Sequence, residues 1–372
     1  MTTKNELDGR SPWFSILIPS YNRPEYITKC IDSILDNDFH DYEIIISDDK
    51  SPRGDEIEQS LKPYLKNEKI QFFRQSQNLR EPGNKNFLVA HAKGKYTIFI
   101  GDDDTFYPHT LSRLKKYIDE YPGYDLYGLG YTVMDENDTF MYARHAPKKV
   151  EVSLSNPKLV EHLFISDLFP FWLYHPATFC CKSEVEKKFP YSLDTGIGED
   201  FLFLFDIING GKKMMVIPES LFRWRKIQSK GDGYQKNQSL LDLSGIRARR
   251  NIYYHLQNRK DLHHSIRTFI SGFEYRKKFL YNPALLDRAM KVDDIRSLAL
   301  DKEHVGEFEA YSARANLYIV HFMSYMNRAI DFVELFGLRG LLAVAKVFLE
   351  RLGYKVARSL RSKSSAWSEA KG

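Results

Sequence analysis

The chain has 372 residues, enough for one large catalytic domain with an appendage, and 43% of them are hydrophobic, as in an ordinary globular protein. Its net charge of +5 is mild but uneven: residues 336–372 hold eight basic and two acidic side chains, a net +6 that leaves the remainder near neutral. Three cysteines (Cys30, Cys180 and Cys181) make no disulfide framework, no CxxC pair marks a zinc site, and no uninterrupted stretch approaches the roughly 20 apolar residues of a membrane span.

Residues 1–13 are polar and lack the apolar core of a secretory signal, so a reducing, cytoplasmic setting is expected. Phe14-Ser15-Ile16-Leu17-Ile18 then reads as a buried strand ended by Pro19. Pro24 suits the first turn of a helix that places Ile27, Ile31, Ile34 and Leu35 on one face. A second strand, Tyr42 to Ser47, leads through the polar turn Ser51-Pro52-Arg53-Gly54 to a helix carrying Ile57, Leu61 and Leu65. Ile70 to Phe73 is the third strand. Asn84 to Ala92 is a helix closed by Gly94. Tyr96 to Ile100 is the fourth strand, and it delivers the chain to Gly101-Asp102-Asp103-Asp104 ahead of a helix over Pro108 to Tyr121.

Further strands are expected over Tyr124 to Met134, weakened by Gly128 and Gly130, and over Phe179 to Lys182, Lys213 to Ile217 and Leu221 to Arg225. Phe201 to Ile208 reads as a buried helix. Beyond about Gln238 the pattern is helical throughout, so the domains divide as 1–237 (catalytic) and 238–372 (helical). Alternating strands and helices imply an α/β unit with a mostly parallel sheet, whose ligands bind beyond the carboxyl ends of the strands. Three polar clusters fall on that rim: residues 19–23, Asp48-Asp49 and the aspartate run.

Three consecutive carboxylates repel one another, and oxygen-only ligands favour a hard divalent ion such as Mg2+ or Mn2+. Such an ion bridges diphosphate oxygens. The plain alternative is a solvated acidic turn. Asp48-Asp49 offers a carboxylate for a base N–H or for ribose hydroxyls, or else an Asx-turn. Glu199-Asp200 precedes a very apolar helix, where partial desolvation suits a general base; the alternative is a pair that answers the helix dipole. Arg223, Arg225 and Lys226 could meet diphosphate oxygens or simply face solvent. Trp172 and His175, in an aromatic segment, are candidates for acceptor contact. There is no P-loop, GxGxxG or HExxH.

Ile18-Pro19-Ser20-Tyr21-Asn22-Arg23, Ile46-Ser47-Asp48-Asp49-Lys50-Ser51, and Ala92-Lys93-Gly94-Lys95-Tyr96 leading to Gly101-Asp102-Asp103-Asp104 and Pro108 together resemble the family 2 glycosyltransferases, over about Trp13 to Arg225. The resemblance implies a GT-A fold, a nucleotide-diphospho-sugar donor, a divalent metal and inversion at the anomeric carbon. Carried over by position, Pro19, Ser20, Tyr21 and Arg23 would line the nucleotide pocket and Asp49 would bind the base. Asp102, Asp103 and Asp104 would supply ribose and metal contacts. Asp200, with Glu199 beside it, would be the catalytic base, and Arg225 would lie near the diphosphate. Two features depart from the pattern. Gly101 stands where the common motif has Asp, and Ile227-Gln228 replaces the usual late His. The Gly-Asp-Asp-Asp form is similar to the branch with abequosyltransferases and other O-antigen sugar transferases, and the expected acceptor is a glycan, with a polyprenyl-diphosphate-linked one as a candidate. A nucleotidyltransferase would need a glycine-rich phosphate loop, which Ser20 to Pro24 lacks, and a catalytically dead scaffold would not need the intact carboxylates.

In the tail, Leu338, Leu341, Leu342, Leu349 and Leu352 share a broad face of a helix over about 332–361, and Arg339, Lys346, Arg351, Lys355, Arg358 and Arg361 occupy the rest. This reads as an interfacial helix on an anionic leaflet, placing the protein on the inner face of the cell membrane; the alternative is a helix packed on the catalytic domain or in a homo-oligomer. With no recognised module in the core, nucleic acid is not the expected partner. Deleting residues 337–372 is expected to abolish binding to vesicles containing phosphatidylglycerol, measured by co-sedimentation. Unchanged binding would assign the helix to protein packing.

Overall fold

The computed structural model describes residues 11–146, 148–155, 178–193 and 199–227. The expected boundary near residue 237, the helical region 238–372 with its tail, and Trp172 and His175 all lie outside the described residues. Chain contacts divide the molecule into two compact units.

Among the described residues the first unit comprises 11–129, 151–154, 178–193 and 199–215. Its parallel sheet is built from β1 (Phe14–Ser20), β2 (Tyr42–Asp48), β3 (Ile70–Arg74) and β4 (Tyr96–Phe99) in the order β3-β2-β1-β4. Helices α1 (Pro24–Leu35), α2 (Gly54–Leu61) and α3 (Arg80–His91) make the crossovers. Ile16, Ile18, Ile44, Ile45, Ile46 and Ile98 are fully buried, as expected of central parallel strands covered on both faces. The chain then forms β5 (Thr105–Phe106), α4 (Thr110–Glu120) and β6 (Leu126–Asp135). β9 (Phe179–Lys182) runs antiparallel between β4 and β6, which makes the sheet mixed. α5 (Ser183–Glu186) and α6 (Glu199–Asn209) complete the unit. Among the described residues no helix is long and apolar enough to cross a membrane.

The second unit includes residues 130–150 and 216–227. Here β6 pairs antiparallel with β7 (Phe140–Arg144), and the short β8 (Val150–Val152) starts at Val150 and continues into the first unit's residues 151–154. β10 (Met214–Lys226) enters from the first unit and lies next to β6 in the sheet. The two strands expected over 213–217 and 221–225 are therefore one. Pro218 interrupts the apolar run without ending the strand, and the half-exposed Glu219 and Ser220 beside it account for the break in the sequence pattern.

Other boundaries moved for identifiable reasons. β1 runs through Pro19 to Ser20, because its pairing with β4 ends at Leu17 and only the β2 edge continues. The helix expected to reach Leu65 stops at Leu61; Pro63 follows, and Tyr64–Lys66 forms a separate 3-10 turn. α3 begins at Arg80 rather than Asn84, with Pro82 in its first turn, where no N–H is needed. Gly94 is no helix cap, since α3 ends at His91. Instead a Cβ there would meet Ser15 N at 2.5 Å, so glycine lets the loop reach β1, where its N–H donates to Ser15 Oγ at 2.7 Å. β6 runs straight through Gly130, where a Cβ would meet Glu219 O at 2.6 Å.

α5 is tied to β4 by a buried polar chain. Tyr191 Oη donates to Glu186 Oε1 at 3.0 Å, and Thr97 Oγ1 contacts both Glu186 Oε2 and, at 3.2 Å, the Cys181 carbonyl. One hydroxyl hydrogen cannot serve two acceptors. The chain is complete only if a protonated Glu186 donates to Thr97, which in turn donates to Cys181. Burial, opposed by the Thr97 and Tyr191 hydrogen bonds, pushes the Glu186 carboxyl up to about 7, in accord with that arrangement. A raised folded-state pKa contributes stability that is full below the unfolded value and is lost as pH rises through the folded one. Glu186→Gln reproduces the hydrogen bonds without a titrating proton. Its melting temperature relative to the parent is expected to rise from about pH 4.5 to about pH 7 and to level off above that in thermal unfolding. A constant difference would show that Glu186 does not titrate there.

Candidate active site

The aspartate run leaves β4 at the carboxyl edge of the parallel strands. Asp104 N donates to Gly101 O at 3.0 Å and closes a tight turn. Asp102, Asp103 and Asp104 are all buried, so the reading of the run as a solvated turn fails. Asp102 accepts from Ser20 Oγ at 2.8 Å, Tyr21 N at 3.2 Å and Arg23 Nη1 at 3.3 Å. The same Arg23 nitrogen lies 3.1 Å from Asp103 Oδ1. Ser20, Tyr21, Arg23 and the aspartates are thus brought together as expected, with the loop after β1 latched onto the loop after β4. Pro19 precedes them as the next-to-last residue of β1. Burial pushes the Asp102 carboxyl up to about 6, with Arg23 opposing and Asp103 reinforcing the shift.

A cation site requires converging oxygens. A Cβ on Gly101 would meet Asp104 Oδ2 at 3.0 Å and Asp103 Oδ1 at 3.1 Å, so these two carboxylates approach a common point beside the turn. Asp102 turns instead toward Ser20, Tyr21 and Arg23. The donor set suits a hard divalent ion on Asp103 and Asp104 better than on all three. Gly101 keeps that space open where the usual aspartate side chain would fill it.

The two aspartates after β2 divide their roles. Asp48 accepts from Ser51 N at 3.3 Å and from Ser51 Oγ, which is the Asx-turn. Asp49 is held by its own N–H to Ser20 O at 3.0 Å, and its Oδ1 accepts from Leu79 N at 2.6 Å. It therefore stands beside the β1 loop and also satisfies the first turn of α3. Burial raises its carboxyl, against the Leu79 hydrogen bond.

Glu199 and Asp200 form the first turn of α6, where the helix dipole favours negative charge. Sequence reasoning missed what holds them. Lys85 of α3, with a side chain only 2% exposed, lies 2.6 Å from Asp200 Oδ1, 3.0 Å from Glu199 Oε1 and 3.0 Å from Glu81 Oε1. Three ammonium protons meet three carboxyl groups. The ammonium also sits over the Tyr191 ring at 5.4 Å and the Phe99 ring at 5.9 Å. Burial opposes its charge, but Asp200, Glu81 and Glu199 outweigh that and raise its pKa well above the usual lysine range. Among the described residues, Glu81, Glu199 and Asp200 are a set of carboxylates whose oxygens converge within 4.8 Å, and the lysine already supplies their cation.

The neighbours of Lys85 are equally engaged. Asn84 exchanges hydrogen bonds with Ser47 of β2, and Asn86 does the same with the Tyr191 backbone at 2.8 and 2.9 Å. One signal for this lay in the sequence. Consecutive helical residues are about 100° apart, so Asn84-Lys85-Asn86 fans over more than half the helix and cannot all face water. Arg225 belongs to the second unit. It is buried, pairs with Asp138 at 2.6 Å, and contacts the Asp135 and Glu136 carbonyls at 3.4 and 3.5 Å.

Residues 15–183 match the family model of glycosyl transferase family 2. A Campylobacter jejuni GalNAc(5)-diNAcBac-PP-undecaprenol beta-1,3-glucosyltransferase is 34% identical over 111 residues, 29% of this chain and 35% of the relative. An Escherichia coli protein, a putative colanic acid biosynthesis glycosyl transferase WcaA by description, is 30% identical over 102 residues, 27% of this chain and 36% of the relative. The chain thus spans little more than a third of the length of these relatives. Staphylococcus aureus TarS 1-349 in complex with UDP-GlcNAc has a TM-score of 0.55 at 18% identity, covering 94% of this chain and 92% of that one. A Pyrobaculum calidifontis mannosyltransferase in complex with GDP-Man and Mn2+ has a TM-score of 0.51 at 14% identity, covering 92% and 88%. The fold is therefore the GT-A type expected from the resemblance, and the chain carries a glycosyl transferase family 2 domain over residues 15–183.

Proposed function

We propose that the chain is an inverting glycosyltransferase that moves a sugar from a nucleotide-diphospho-sugar to a hydroxyl of a glycan acceptor. The observation that carries this reading is the clamped Asp200. It is a carboxylate in the first turn of a helix, its side chain 13% exposed, with burial pushing it up to about 6 against the pull of Lys85. A base with a pKa near neutrality is ionised enough to accept a proton and basic enough to remove one.

On this reading Asp49 receives the nucleobase, and Ser20, Tyr21 and Arg23 line the nucleotide pocket with Asp102 as their anchor. Asp103 and Asp104 would hold a divalent cation, Mg2+ or Mn2+, which supplies positive charge to the departing diphosphate. Asp200 takes the proton of the acceptor hydroxyl. The oxygen bonds to the anomeric carbon from the face opposite the nucleotide as the carbon–diphosphate oxygen bond breaks. The electron pair leaves on the diphosphate, and the configuration inverts. The relatives named for colanic acid synthesis and for an undecaprenol-diphosphate-linked substrate support a bacterial surface-glycan acceptor that is lipid-linked. The basic tail would then bring the enzyme to that acceptor at the inner face of the membrane.

Two outcomes test the reading. UDP- or GDP-sugars with MnCl2 are expected to stabilise the protein in thermal unfolding, by about 2–3 kcal/mol at a hundredfold excess over Kd. Asp103→Asn and Asp104→Asn should each remove the metal-dependent part. Asp200→Asn should cut nucleoside diphosphate release from the stabilising donor by about 10²- to 10⁴-fold and leave that stabilisation intact. Full turnover by Asp200→Asn would sink the assignment of the base.

A further inference from the structure

Four ionisable groups share one small volume, and their charges do not balance if all three carboxyls are ionised. Oxygens of Glu81 and Glu199 lie within 4.8 Å of one another, each 3.0 Å from Lys85 Nζ, and a carboxyl pair so placed can bond only if one of them keeps its proton. Glu199, 2% exposed, is the neutral partner; burial and then the Glu81 charge raise it well above the usual carboxylate range. Glu81, half exposed at 52%, is the ionised one, lowered chiefly by the Lys85 charge. With Lys85 positive, one net negative charge remains, and Asp200 is the buried group that carries it.

We propose that Lys85 and Glu81 are positioning residues for the base: Lys85 clamps the Asp200 carboxylate in place, and Glu81 takes the hydrogen bond of a neutral Glu199, so that Asp200 is left as the ionised acceptor of the proton. This rests on reading Asp200 as the base and assigns Glu199 a different role from its neighbour. Glu199 is a hydrogen-bond donor within the cluster, not a second base. The ionisable groups set against Asp200 include Glu81 and Lys85 of α3 and Glu199 beside it on α6, and Glu186 of α5 and Tyr191 feel its charge. Arg23 adds a favourable charge on Glu81, which links this cluster electrostatically to the aspartate loop.

The test needs no substrate. In the full chain labelled with 13C at the aspartate and glutamate carboxyls, the Asp200 signal is assigned by its loss in Asp200→Asn and titrated by NMR. The parent midpoint is expected at about 6. Lys85→Met removes a positive charge at hydrogen-bond distance, so the midpoint should rise by roughly one to three pH units, and Lys85→Arg should hold it close to the parent. Glu81→Gln removes a negative charge, so the midpoint should fall; the exposure of Glu81 makes that change the smaller one. Opposite movements are not produced by a general loosening of the fold. An unmoved midpoint in Lys85→Met, or a rise in Glu81→Gln, would overturn the proposal. If Lys85→Met does not fold, as judged by circular dichroism, Glu81→Gln and Lys85→Arg decide it alone. Should Asp200→Asn keep its turnover, the base reading fails whatever these midpoints do; should it lose turnover while the midpoints stay put, only the positioning pair fails.

Discussion

A lysine that is 2% exposed cannot stay charged without partners, and Lys85 has three. Desolvating an ammonium costs several kcal/mol, and removing one partner of a buried pair costs about 3–5 kcal/mol because the other charge is stranded. α3 and α6 are therefore bound together by an interaction that tolerates little displacement. The carboxylates at the head of α6 are oriented by this contact rather than by their own helix. The dipole that favours negative charge there is a weaker contribution, about 0.3–1 kcal/mol.

The loops after β1, β2 and β4 depend on the same principle. Asp102 is buried, and it is acceptable there because Ser20, the Tyr21 backbone and Arg23 all donate to it. Their donation fixes the loop after β1 against the loop after β4. Asp49 fixes the β2 loop in turn by bonding to Ser20 O and to the start of α3. α3 thus joins the two groups of carboxylates, since its start meets Asp49 and its second turn presents Lys85 to Asp200. A displacement of α3 would disturb the Asp49 and Asp200 contacts together.

The carboxyl groups fall into distinct environments. Asp102 and Asp200 are pushed up to about 6 by burial, each opposed by one basic residue, Arg23 or Lys85. Burial pushes Glu186 up to about 7 against its hydrogen bonds from Thr97 and Tyr191, and burial together with the Glu81 charge raises Glu199 well above the usual carboxylate range. Separating carboxyl groups in this way is how a single fold assigns donors and acceptors of protons at neutral pH.

The alternation of apolar runs and amphipathic segments settled the parallel sheet, because strands buried on both faces must be apolar throughout and few other residues serve there. The order of Pro19 to Arg23, Asp49, the aspartate run and Glu199-Asp200 likewise pointed to one rim and one chemistry, since chain order on a parallel sheet determines which loops meet. The long-range pairings were not legible. Nothing in the spacing of Lys85 and Asp200, 115 residues apart, says that they touch, and although Asn84-Lys85-Asn86 cannot all face water, their partners are unknown until α3 is placed. Only the tertiary structure decided that Asp48 makes a turn while Asp49 ties the β2 loop to Ser20 and α3, that Asp102 anchors a loop while Asp103 and Asp104 converge, and that Pro218 lies within one strand. The physical reason is common to all of them. A polar side chain states its type in the sequence, but its role is set by which partner relieves the cost of burying it, and that partner is chosen by packing.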